Sequence, residues 1–123
     1  MSSYADRVLA PRVIFPGKKM SFKAKLRNWY LERYCPEVLW YVATGAELLD
    51  AQRPQWHNKI RLQDLKVSYA FSCVMHQVYG DFQMGMSEAG LLCVHARDYG
   101  FLCDPKENRI YRWAWANEVE KHS

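Results

Sequence analysis

Residues 101–115 read FLCDPKENRIYRWAW, and how this stretch folds decides whether the chain is wholly helical or carries a sheet. Tyr111, Trp113 and Trp115 alternate with Ile110, Arg112 and Ala114. A period of two places three large aromatics on one face of a strand. Residues 101–104 form a second short apolar run, and Pro105-Lys106-Glu107-Asn108 between the two has the composition of a four-residue hairpin connection. The stretch predicts a C-terminal β-hairpin and therefore an α+β fold, with residues 117–123 a polar tail that frays.

Just upstream, Ser87-Glu88 reads as a helix start and Gly100 as its end, with Leu91, Leu92, His95 and Tyr99 on one side. A helix followed by a hairpin has the outline of a winged helix, in which the helix enters the major groove and the hairpin touches the phosphate backbone. Arg97 on the helix and Lys106, Arg109 and Arg112 on the hairpin are the cations suited to that role. Glu88 and Asp98 on the same helix work against base reading. Before it, residues 62–79 fit both periods. Thirteen residues from Val67 to Tyr79 would be long for a strand, so a helix stopped by Gly80 is expected.

At the other end, Pro11 and Pro16-Gly17 mark residues 1–20 as an extended arm whose Val13-Ile14-Phe15 patch packs on the body. Ser21 then caps a helix reaching Tyr34. Phe22, Leu26, Trp29, Tyr30 and Tyr34 form its apolar stripe, and Trp29 and Tyr30 are expected in the core. Lys23, Arg27 and nearby Lys25 and Asn28 form the opposite, solvated side. Pro36 ends this helix and opens a second over residues 37–51, closed by Pro54. Val38, Leu39, Val42, Ala46 and Leu49 make its core stripe, while Trp40 and Tyr41 project elsewhere. The expected architecture is thus one compact domain, residues 1–123, of three or four helices with a C-terminal hairpin.

A chain of 123 residues buries about two-thirds of its unfolded surface, enough for one core without a disulfide or metal. Half its residues are apolar, 15% aromatic and 24% charged, which excludes disordered, collagenous and coiled-coil classes. The longest charge-free stretch, residues 67–80, is too short to span a bilayer. Asp6, Arg7 and Arg12 interrupt any apolar leader in the first fifteen residues. A cytoplasmic protein with four reduced thiols (Cys35, Cys73, Cys93, Cys103) is the expectation.

Charge is unevenly placed. Residues 1–34 hold eight Lys or Arg against two acids, a net +6, whereas the remainder holds nine against eleven. Such a local excess attracts an anionic partner.

No signature of catalysis stands out. Cys73-x-x-His76 would need a helix and Cys93-x-His95 an extended strand to present zinc ligands, and the spacings match no established zinc pattern. Four Cys and four His single out no nucleophile–base pair. GxSxG, HExxH, Walker A and GxGxxG are all absent. No metal, cofactor or catalytic residue is therefore assigned. The expected function is stoichiometric binding, as an inhibitor or adaptor docking on a larger protein or protein–nucleic-acid assembly. Lys18, Lys19, Lys23, Lys25 and Arg27 would supply charge complementarity, and Trp40, Tyr41 and Trp56 exposed aromatic anchors. The alternative is a winged-helix regulator gripping DNA or RNA phosphates through Arg97, Lys106, Arg109 and Arg112. Either way no membrane partner is expected, and the oligomeric state stays open.

Overall fold

The computed structural model describes residues 20–122, which contain α-helices and 3₁₀ turns and no strand. In chain order the helices are α1 (Phe22–Tyr34), α2 (Pro36–Gln52), α3 (Val74–Tyr79), α4 (Phe82–Glu88) and α5 (Asn108–His122). The α+β expectation is overturned in the stretch that prompted it. Pro105–Glu107 is a 3₁₀ turn that runs directly into α5, where a hairpin loop was expected. The Glu107 N–H donates to the Asp104 carbonyl at 2.9 Å and the Asp104 N–H to Glu107 Oε1 at 3.4 Å, which closes the turn, and Pro105 sits in the first turn, where its missing N–H costs nothing.

Once the backbone is helical, the alternation of aromatics acquires a different meaning. Tyr111 and Trp115 lie one turn apart and are buried together, while Trp113 points to another side and stays half-exposed. Trp115 is at the centre of the core. Its ring stacks on Phe101 at 6.0 Å, meets Trp56 edge-on at 5.6 Å, and its Nε1 donates to the Gly100 carbonyl at 2.7 Å.

The expected fraying tail is also overturned, since Asn117 and Glu118 are buried and the helix continues to His122. His122 Nε2 lies 2.8 Å from Asp50 Oδ1, which also accepts the Trp56 Nε1 hydrogen at 2.8 Å. These bonds fasten the last turn of α5 to the end of α2.

The winged-helix outline falls with the hairpin, and its recognition helix is missing as well. Residues 87–100 are the end of α4 followed by two 3₁₀ turns, Cys93–His95 and Arg97–Tyr99. Gly90 adopts φ +74, which breaks any helix begun at Ser87. Residues 62–79 are helical only in the 3₁₀ turn Leu62–Asp64 and in α3. Val67 is held out of a helix because its N–H donates to Asn108 Oδ1 at 2.7 Å and its carbonyl accepts from the Cys103 N–H at 3.3 Å.

The first two helices form as expected. Ser21 Oγ accepts the Ala24 N–H at 3.1 Å, and Pro36 opens α2. Helix α2 packs on α5 and on the Arg97–Tyr99 turn, with α1 against α5 and α2. Gly45 permits the close approach of α2 to that turn, because a Cβ there would run into the Tyr99 carbonyl. The expected arm, including Lys18 and Lys19, lies outside the described residues apart from Met20.

Candidate docking surface

Helix α1 is attached to the body by the side that the sequence pattern assigned to water. Ala24 and Leu31 are its buried residues, and between them Arg27 and Asn28 are half-buried. Arg27 Nε donates to Asn117 Oδ1 at 3.1 Å, and Asn117 Nδ2 donates in turn to the Ala24 carbonyl at 3.2 Å. One turn further along α5, Glu120 Oε1 accepts the Ser21 N–H at 2.6 Å and its other oxygen lies 3.6 Å from Arg27. These partners hold the Glu120 carboxyl below the usual carboxylate range, the Ser21 N–H foremost and the Arg27 charge after it.

The apolar stripe consequently faces outward. Phe22 is 76% exposed, Leu26 51%, Trp29 57% and Tyr34 59%, so the expectation that Trp29 and Tyr30 belong to the core is overturned. Their rings form a chain: Trp29 meets Tyr34 edge-on at 6.3 Å, Tyr34 tilts against Tyr30 at 4.9 Å, and Tyr30 meets Trp113 edge-on at 5.7 Å. Between α1 and α5, beside Leu62, a groove of about 590 Å³ opens. Leu26, Trp29, Tyr30, Leu62, Trp113 and Ala116 line it, with Lys23, Arg27 and Arg112 as its charged lining residues.

The expected site residues scatter. Lys23 and Lys25 are exposed on α1, whereas Arg27 is engaged with Asn117 and Glu120. Trp40 and Tyr41 are half-buried with their rings 5.4 Å apart. Trp56 is fully buried and belongs to the core, so it offers no exposed anchor. Arg97 forms ion pairs with Asp104 at 2.8 Å and Glu107 at 3.7 Å, which spends its charge within the fold. Lys106, Arg109 and Arg112 do come together, with Asn108 and Ile110, around a shallow depression at the start of α5. Phe22, Leu26, Trp29, Tyr30 and Trp113 were legible as apolar residues but not as surface ones. The signal for their orientation was Ala24 and Leu31, a small and a large apolar residue on the face that meets α5.

Among the described residues no three His, Cys, Asp or Glu side chains gather as a metal site, and no helix is long and apolar enough to cross a membrane. All four cysteines are unpaired. Burial is the first cause that raises the Cys35, Cys73 and Cys103 thiols, the last to about 12, which disfavours their thiolates as nucleophiles. No family model, curated protein or solved structure matches the chain.

Proposed function

We propose that the chain is a non-catalytic binding protein, a small stoichiometric inhibitor or adaptor that docks on a larger protein through the outward face of α1. One observation carries this reading: a 13-residue helix, fixed to the core by its other side, leaves Phe22, Leu26, Trp29 and Tyr34 largely in water. A contiguous apolar patch of this kind is unfavourable to maintain unless a partner covers it. Trp and Tyr are also the side chains that most often dominate interface energetics. Lys23, Lys25 and Arg33 around the patch are exposed and make no ion pair among the described residues, so they remain available to orient an anionic partner. Four unpaired thiols suit a reducing compartment, the cytoplasm.

The test is affinity capture from host lysate, with and without nuclease, using the wild type, Trp29→Ser and a Lys23→Glu, Lys25→Glu pair. A defined protein that survives nuclease and is lost with both variants is the expected result. A second reading, contact with nucleic-acid phosphates, is favoured by the convergence of Lys106, Arg109 and Arg112 at the start of α5. It requires capture to disappear with nuclease and on reversal of those three charges, and that outcome would displace the first reading.

A further inference from the structure

We infer that the groove between α1 and α5 receives an amphipathic helix of a partner protein, with carboxylates flanking its apolar anchors. The inference rests on the docking reading above and gives it a site and a ligand chemistry. Two helices lying side by side offer a trough into which a third can lay residues spaced i, i+4 and i+7. Here Leu26, Leu62, Trp113 and Ala116 supply apolar lining, and Trp29 and Tyr30 extend it along α1.

Charge selects the occupant. Lys23 on α1 and Arg112 on α5 both line the groove, and neither makes an ion pair among the described residues, whereas Arg27 is answered by Glu120. Among the described residues no carboxylate lines the groove. A second copy packed on the same face about a two-fold axis would bring these cations toward their own equivalents. The chain's own residues 8–19, VLAPRVIFPGKK, place Arg12, Lys18 and Lys19 around Val13-Ile14-Phe15 and would add cations to a cationic site. Single-stranded nucleic acid needs open ring faces and a continuous cationic track. Tyr30 is instead engaged with Trp113 and Tyr34, and the remaining lining includes Leu26, Leu62 and Ala116. Carboxylates beside aliphatic or aromatic anchors satisfy both the rim and the floor.

The experiment is a selection on the immobilised full-length protein with a displayed library of 16-residue helical peptides. Peptides pairing apolar residues at i and i+4 with flanking Asp or Glu should enrich. Leu26→Glu, and separately a Lys23→Glu, Arg112→Glu pair, should weaken the best of them by about tenfold or more, the scale of losing a central anchor. Val94→Ser, an exposed apolar residue outside the docking face and the groove, should leave them unchanged, and circular dichroism checks that each variant is folded.

Enrichment of basic peptides, or insensitivity to both groove variants, overturns the inference. So does displacement of the selected peptide by a synthetic VLAPRVIFPGKK peptide, which would give the groove to the chain's own arm, or by oligothymidylate. Peptides lost with Phe22→Ser but not with Leu26→Glu leave the docking reading standing and remove the groove. An absence of any enriched peptide counts against both.

Discussion

Asn117 shows how one polar side chain sets which face of a helix is presented. It is 2% exposed, accepts from Arg27 and donates to the Ala24 carbonyl, so it fixes both the depth and the rotation of α1 on α5. Asn117→Ala leaves Arg27 Nε without that acceptor in a largely dry contact. A loss of about 1–3 kcal/mol is expected in urea denaturation, the usual cost of abandoning a buried hydrogen-bonding group. A loss within error of zero would remove Asn117 from this role. The cysteines make a second expectation at the same scale. Cys93 is exposed, whereas burial, helped by the Glu107 charge, pushes the Cys103 thiol up to about 12. At pH 8 iodoacetamide should modify Cys93 first and reach Cys73 and Cys103 only under denaturant, as mass spectrometry of timed digests would show. Early labelling of Cys103 contradicts the burial described.

At the level of the element, α5 is where sequence and structure part company. In residues 111–115 the spacings i, i+2 and i+4 are occupied together, so the strand pattern and the helical pair Tyr111/Trp115 coexist and periodicity cannot separate them. The deciding information sat outside the run, in Asp104-Pro105-Lys106-Glu107, a helix start that also has turn composition. For α1 the difficulty is different. Ser21 and Pro36 made its ends readable, but a helix with aromatics on one side and Ala24 and Leu31 on the other has two faces able to pack. Size favoured the wrong one, because α5 offers Asn117 and Glu120 to that narrower face. Truncation tests the helical assignment. Trp115→Ala should cost about 3–5 kcal/mol and Trp113→Ala less than half of that, since only Trp115 is in the core. Equal costs would be the hairpin result. Ser21→Ala should cost about 1 kcal/mol through loss of the α1 cap, with Ser21→Gly milder.

At the scale of the whole molecule, buried acids, Cys73, Cys103 and Tyr111 among them, connect the core to alkaline stability. Cys103 and Tyr111 are packed near Glu107, and burial followed by that charge raises both, with Cys103 moving from 9.0 to about 12. A raised acid keeps its proton in the folded chain while the unfolded chain releases it. The contribution is therefore intact below the unfolded value near 9.0 and is lost as pH rises toward the folded one. Asp104 and Glu120 have the opposite shift, through Arg97 and the Ser21 N–H respectively, so what they add is present above their ordinary values and disappears in acid. The urea midpoint should accordingly stay level from neutrality to about pH 9 and decline beyond it. Cys103→Ser separates the contributions. It substitutes a hydroxyl that does not titrate in this range, so the variant starts less stable but falls less steeply between pH 9 and 11. A parallel decline in both proteins would assign the alkaline loss to groups elsewhere, and Tyr111→Phe would then be the variant to follow.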